Sequence, residues 1–366
     1  MKCKYYGKCG GCPWFNVPYK EQLKLKKEKI KEYLGFDKIK LFYGKRYHYR
    51  NRMDFVFSKY GLGLREKKKW YKIVGIKKCL IANEKINLLM NEINEFFNGE
   101  DYFNLKNQKG TYKYAVIRIS KYNSSISFVL NENSENLKNA LSKIKRFSRV
   151  TSAENVIATF VKKKSDVSFS DKYNVIKGSD LMCETILGKK FVYNVQGFFQ
   201  TNCNLIEKLH EYCHRIIKRY KTSEMNFIDL YGGVGTFGVI NSNLFKKVKI
   251  VESDRTCVNS AKRNIKLNKV KNVDVICCDA KDVVKKEFKG PLFMIVDPPR
   301  AGMHPKVAKA INKIFQPEVL IYVSCNAKRF GEELHYFDNY KIKSVAMFDL
   351  FPNTPHVETI TEMVLV

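Results

Sequence analysis

The sequence predicts an α/β fold, with a doubly wound, mostly parallel sheet in the C-terminal part of the chain and an α+β region before it. Three observations carry this expectation. From Asn226 to about residue 338, strand-like and helix-like patterns alternate, the signature of parallel strands joined by helical crossovers. Two short runs, Phe293-Met294-Ile295-Val296 and Val319-Leu320-Ile321-Tyr322-Val323, are apolar throughout, as strands covered on both faces are. Each ends abruptly in polar residues, Asp297-Pro298-Pro299-Arg300 and Ser324-Cys325-Asn326. Open α/β sheets bind ligands at the carboxyl ends of their strands. Cys325 and Asp297 are therefore expected at the mouth of one cleft.

Composition narrows the function. A chain of 366 residues is long enough for two or three domains. No apolar run reaches membrane-spanning length, and no signal-peptide core opens the chain, so a cytoplasmic location is expected. Sixty-seven Lys and Arg face 36 Asp and Glu, a formal net charge of +31. A Lys-rich codon bias would raise the lysine count but not lower the acids. The excess predicts a polyanionic partner, most simply a nucleic acid. Eleven cysteines in such a chain point to metal binding or catalysis rather than disulfides.

The chain opens on a cysteine cluster, Cys3, Cys9 and Cys12, with the C-x5-C-x2-C spacing and Gly10-Gly11 between the last two. The next cysteine is Cys79. Together they make an S4 donor set that suits zinc or an iron–sulfur cluster, and three close thiols plus one remote is the commoner pattern for [4Fe–4S]. Residues 17–34 predict a basic helix, and Gly44 to Arg52 interleaves cations with aromatic rings, a pairing suited to phosphates and unstacked bases. Arg65 to Lys78 repeats it with Trp70 and Tyr71. Helical spacing over 84–97 and 134–147, with strands near 114–120, 125–130 and 155–161, predicts an α+β region without a catalytic motif. Three parts are expected: 1–83 for cysteine cluster and nucleic-acid contact, 84–194 as central α+β domain, and 195–366 as the doubly wound domain. His210 and His214 lie four apart on a predicted helix without an evident third ligand and are read as core or surface residues.

The doubly wound part carries the chemistry. Phe227 to Tyr231 predicts a buried strand running into Gly232-Gly233-Val234-Gly235-Thr236-Phe237-Gly238, where Gly233 and Gly235 permit close approach of a ligand. Glu252 ends the next strand, where a carboxylate meets ribose hydroxyls, and Asp279 follows the third, in reach of an adenine amino group. A nucleoside-containing cofactor is implied, either NAD or S-adenosylmethionine. A rigid Asp-Pro-Pro turn beside a thiol favours the second. Methylating C5 of a pyrimidine needs a thiolate to add at C6, so that C5 becomes nucleophilic, and a base to remove the C5 proton. Cys325 is the candidate nucleophile; Glu358 and His356 are candidate bases.

These motifs, with Phe198-Phe199-Gln200-Thr201-Asn202 and Asp349 to Glu358, make the chain resemble the S-adenosylmethionine-dependent RNA uracil-C5 methyltransferases over nearly its whole length. The resemblance implies a Rossmann-like class I methyltransferase domain, Cys325 as nucleophile and Glu358 as proton acceptor. It implies that Gln200, Tyr231, Glu252, Asp279 and Asp297 line the cofactor and base pocket, and that Cys3, Cys9, Cys12 and Cys79 hold a [4Fe–4S] cluster. Gly233 stands where relatives often have cysteine, and Ala327 where many have proline. No β-barrel domain precedes Cys3, a layout similar to the short 23S rRNA enzyme, so 23S rRNA is the expected substrate and a tRNA T-loop uridine the alternative. The partner is expected to be RNA rather than DNA or membrane, and the enzyme a monomer.

Overall fold

The computed structural model describes residues 2–284, 288 and 290–366. The N-terminal elements are α1 (Tyr19–Leu34), β1 (Ile39–Phe42), β2 (Arg52–Ser58), β3 (Gly61–Glu66), β4 (Lys69–Gly75), α2 (Glu84–Phe97), β5 (Tyr112–Ile119), β6 (Ser124–Asn131), α3 (Leu137–Val150), β7 (Asn155–Val161) and β8 (Tyr173–Lys177). A two-stranded ribbon of β9 (Leu181–Ile186) and β10 (Lys189–Asn194) leads into α4 (Cys203–Ile217). There follow β11 (Asn226–Leu230), α5 (Thr236–Asn241), β12 (Lys247–Glu252), α6 (Arg255–Leu267), β13 (Val273–Cys277), α7 (Ala280–Val283), β14 (Leu292–Val296), α8 (Pro305–Ala310), β15 (Val319–Ser324), α9 (Ala327–Glu333), β16 (Tyr340–Phe348) and β17 (Glu358–Leu365).

Among the described residues two large sheets form. The first has the order β4-β3-β2-β5-β6-β7-β8, and only its β6–β7 pair is parallel. Ile86, Leu89, Met90, Ile93 and Phe97 recur at helical spacing along α2 and pack with Ile144 and Phe147 of α3 onto Phe55, Phe57, Ile117 and Phe128 of the sheet. This sheet runs across residue 83, because β2 pairs with β5.

The second sheet has the order β1-β16-β17-β15-β14-β11-β12-β13. The five strands from β15 to β13 are parallel, and the chain reverses its winding between β11 and β14. That is the switch point at which crossover loops diverge and leave a crevice. Apolar cores cover both faces: Phe227, Ile250, Phe293 and Ile321 point one way, Leu230, Met294, Leu320 and Tyr322 the other. Strand β17 runs antiparallel between β15 and β16. At the edge, β1 from the N-terminal region adds parallel to β16, with Ile39 opposite Val345. Residues 19–42 therefore pack with the C-terminal sheet rather than with the cysteine segment's sheet.

The expected basic helix is α1, but its polar positions are not all solvated. Lys26 is 1% exposed and its Nζ lies 2.6 Å from Oδ1 of Asp349 and 3.1 Å from the carbonyl oxygen of Phe351. Gln22, fully buried, donates to the carbonyls of Trp14 and Val17 and accepts from the N–H of Asn353 at 2.8 Å. The Gly44–Arg52 run is likewise partly structural: Tyr49 is buried and donates to the carbonyl of Pro352. Removing one partner of a buried ion pair strands the other charge. Lys26→Ala is therefore expected to lower the unfolding free energy by roughly 3–5 kcal/mol, read from urea titration; a loss below about 1 kcal/mol would show the pair to be energetically neutral.

Candidate active site

The site forms where three strand ends meet the returning strand β17. Ser324 of β15 is registered with Thr359 of β17, and the hydroxyl of Thr359 donates to the carbonyl of Ser324 at 3.3 Å. Cys325 follows Ser324 and Glu358 precedes Thr359, so the two adjoin where this pairing ends, and the charge of Glu358 acts on the Cys325 thiol. On the other side Glu358 is registered with Phe348 of β16. Glu358 is thus a main-chain-fixed residue in the sheet interior, 2% exposed, and its Oε1 has no hydrogen-bond partner among the described residues. Burial, then the negative charge of Asp297, raises the Glu358 carboxyl well above the ordinary range.

Cys325 is half-buried at the start of the turn into α9. Its thiol is pushed up to about 11 by burial, by Glu358 and by Asp297, and drawn down by Arg300. Asn326 caps α9 by accepting from the Arg329 N–H, and its side-chain amide donates to the carbonyl of Arg300 at 3.1 Å. The Asp-Pro-Pro-Arg turn and the thiol turn are therefore tied together. Arg300 also donates to Nδ1 of His356 at 3.1 Å, which occupies that lone pair and sets His356 apart from Glu358 as a proton acceptor.

Asp297 follows β14, with its N–H donating to the carbonyl of Leu230 at the switch point. It is raised to about 7 by desolvation and by Asp229. Asp229, fully buried in β11, is also raised to about 7, chiefly by burial. Its Oδ2 accepts from the N–H of Gly238 at 2.8 Å, while Oδ1 has no partner among the described residues. Sequence reasoning placed Asp229 in a motif and gave it no role; its lone polar position in an apolar strand was the available signal.

The glycine loop closes over this pair. Tyr231 holds φ +62°, the left-handed region that a non-glycine residue rarely adopts and that clusters at functional turns. Gly235 has φ +84°, and a Cβ there would lie 2.8 Å from Ile250, so only glycine lets α5 begin this close to the sheet. Oε2 of Glu252 accepts from the Gly233 N–H at 3.0 Å and Oε1 from the N–H groups of Ser253 and Asp254. Asp279 caps the short α7, exposed at the far end of the crevice. Gln200 lies just before α4, whose N-cap is Asn202, and its carbonyl accepts from Asn51 at 3.4 Å. Tyr231, Gly233, Gly235, Glu252, Asp279 and Asp297 all stand at carboxyl ends of neighbouring parallel strands.

The four expected metal-binding cysteines share one place. Cys3, Cys9, Cys12 and Cys79 line a single cavity of about 700 Å³, together with Arg50, Lys67, Lys68, Lys69 and Trp70. Burial and the charges of Cys79, Cys9 and Cys3 push the Cys12 thiol up to about 12, so the thiols lie within electrostatic reach of one another. The Gly11 N–H points at Cys9 Sγ, 3.4 Å away. Among the described residues no three His, Cys, Asp or Glu side chains are gathered as ligands around a single ion. His210 is buried, its imidazole pulled down to about 3 by desolvation, and His214 bonds to Asn241, so neither reads as a ligand. No helix among the described residues is long and apolar enough to cross a membrane.

The family model for tRNA (uracil-5-)-methyltransferases matches residues 18–364. The chain belongs to this family. It is 32% identical to the tRNA (uracil(54)-C(5))-methyltransferase of Pyrococcus abyssi over 99% of its own length and 85% of the relative's. It is 33% identical to an uncharacterized RNA methyltransferase of Clostridium tetani over 98% of its length and 82% of that protein. The crystal structure of the P. abyssi enzyme in complex with S-adenosyl-L-homocysteine superposes with a TM-score of 0.80 at 29% identity, covering 97% of this chain and 86% of that one. The family is that of RNA uracil-C5 methyltransferases, as the resemblance implied, and its substrate is RNA. The expectation of 23S rRNA is not supported: these relatives, where their names give a substrate, are tRNA uracil-54 enzymes.

Two measurements check the electrostatics. With Cys325 raised to about 11, its alkylation by iodoacetamide in the free protein is expected to climb steadily from pH 7 to 10, followed by peptide mass spectrometry; a plateau below pH 8 would contradict the burial argument. The carboxyls of Asp229 and Asp297 keep their protons to about 7 when folded and only to about 4 when unfolded, so the native state binds more protons in between. Their stabilising contribution is present below about pH 4 and is lost as pH rises through about 7. Asp229→Asn is expected to flatten the fall in thermal midpoint between about pH 4 and 7, and an unchanged slope there would remove Asp229 from this account.

Proposed function

We propose that this enzyme methylates C5 of uridine 54 in the tRNA T-loop with S-adenosylmethionine as methyl donor. The substrate rests on the relatives, which act on tRNA by name. The chemistry rests on one observation: Ser324 pairs with Thr359, so the residues next to them, Cys325 and Glu358, adjoin at that end of the β15–β17 pair, close enough for the Glu358 charge to act on the thiol. S-adenosylmethionine supplies an electrophilic methyl group on a sulfonium. The crevice suits its nucleoside half: Glu252 would hold the ribose and Asp279 the adenine, the backbone of Gly233 and Gly235 would let it approach, and Gln200, Tyr231 and Asp297 would line the reacting end.

Cys325 gives up its proton to solvent and its sulfur adds to C6 of the uracil, so that electron density reaches C5, which takes the methyl group as its bond to the sulfonium sulfur breaks and a neutral thioether leaves. Glu358, protonated at rest, loses that proton to solvent as the positively charged methyl donor binds; its carboxylate then accepts the C5 proton, the C5–C6 double bond reforms, and the sulfur leaves as thiolate. The orphaned Oε1 of Glu358 is the free acceptor such a step needs. A thiol at about 11 is a weak nucleophile at rest, and Arg300 beside it favours the thiolate as the base enters. C6 is attacked from the face of the ring, so the uridine must leave its stack. Trp70, 62% exposed, and Tyr71 on β4, with Lys67 to Lys69 beside them, offer stacking rings and cations for the RNA.

The cysteine cavity suits a [4Fe–4S] cluster in donor type and number. Zinc, which four thiolates also bind, is the alternative. Such a cluster enters no step above.

The test is methylation of T-loop tRNA, a U54→C transcript and 23S rRNA fragments, with nucleosides identified by mass spectrometry. Modification of tRNA that depends on U54 is expected; modification of rRNA alone would overturn the substrate. Cys325→Ala is expected to abolish methylation while S-adenosylmethionine still binds. Glu358→Gln is expected to trap a methylated RNA–protein adduct stable on a denaturing gel, and its absence would remove Glu358 from the base role.

A further inference from the structure

Five residues before Glu358, Asn353 is fully buried and holds φ +68°. Each of its polar atoms is engaged by the N-terminal region. Its N–H donates to Oε1 of Gln22 at 2.8 Å, and its carbonyl accepts from the N–H of Trp14 at 3.0 Å. Its Oδ1 accepts from Nε of Arg46 at 2.6 Å and its Nδ2 donates to the carbonyl of Arg46 at 3.3 Å. Arg46 in turn donates to the carbonyls of Phe15 and Val17, and the Phe15 N–H donates to the carbonyl of Cys12 at 3.2 Å. Trp14 follows Cys12 by two residues. The flanking Pro352 is held by the hydroxyl of Tyr49. The segment that carries Cys12 is thus hydrogen-bonded onto the loop that delivers Glu358 into β17.

We infer that Asn353 is a positioning residue through which the Cys12 segment sets the placement of Glu358 for removal of the C5 proton. The inference rests on the base role given to Glu358 above. A surface loop would hold a base loosely; one residue with a buried four-point attachment fixes the approach of β17 before its sheet register begins. The chemistry it governs is the last step alone: the proton passes from C5 to the Glu358 carboxylate while the bond from C6 to the Cys325 sulfur breaks. Thiolate addition and methyl transfer precede that step and need only Cys325 and the crevice.

Asn353→Gly keeps the left-handed backbone and deletes the side-chain bonds; Arg46→Met removes the partner instead. In single-turnover reactions with labelled S-adenosylmethionine and T-loop RNA, both variants are expected to transfer the methyl group within about twofold of wild type and to release the methylated RNA about tenfold or more slowly. Hydrogen exchange of residues 350–358 in the RNA-free protein is expected to quicken in both, and also in Cys12→Ser. Release at the wild-type rate in both variants, or unchanged exchange, overturns the role of Asn353. If Glu358→Gln traps the adduct while the Asn353 and Arg46 variants do not, the inference fails and the base assignment stands. If Glu358→Gln traps nothing, the base assignment itself fails.

Discussion

The structure turns on one antiparallel strand in an otherwise parallel arrangement. Because β17 runs back between β15 and β16, its first residue arrives at the end where the parallel strands finish. Glu358 therefore arrives beside Cys325, fixed by its pairing with Phe348 on one side and by the Ser324–Thr359 pair next to it on the other. Side chains alternate along a strand, so a slip of one residue would turn Glu358 to the other face. The bulge between Ile342 and Ser344 lies at the far end of the β16–β17 pair, and pairing is regular from there to Glu358.

Around that fixed pair the charge pattern is unusual for a chain of such positive net charge. Asp229, Asp297 and Glu358 crowd the cleft, all raised by desolvation, with Arg300 as the cation acting on the thiol. A region of neutralised carboxyls beside a protonated thiol is an electrically quiet resting state. A sulfonium entering it would favour ionisation of Asp297 and Asp229, a cost of desolvation offset by the ligand's own charge.

Much of this was legible in the sequence. The strands from β11 to β15 were visible because burial on both faces leaves uninterrupted apolar runs, and the crevice followed from what stood at their ends. Cys325, Asp297, Glu252 and the glycine loop are local features of that pattern. The partnerships of α1 and β1 were not visible, because pairing of Ile39 with Val345 and of Lys26 with Asp349 leaves no periodic trace. Lys26 among many lysines looks like a solvated charge, and Tyr49 and Arg46 look like nucleic-acid ligands, although their partners are Pro352 and Asn353. The β2–β3–β4 meander was hidden by its own lysines, since β4 alternates little and faces solvent. The RNA substrate was legible as charge and aromatic rings; which RNA was a matter of layout, and the named relatives favour the alternative over the substrate that layout suggested.

The pairing of β1 with β16 also bears on the order in which the molecule can be made. On a ribosome the Ile39–Phe42 strand has no partner until β16, far later in the chain, has left the exit tunnel. Through most of synthesis α1 must keep Lys26 and Gln22 away from the partners they finally bury against. The seven-stranded sheet, by contrast, is complete once residue 177 is out. Assembly therefore starts from the seven-stranded sheet, with α1 and β1 docking only after β16, and a product cut short before β16 would keep that sheet while lacking Glu358.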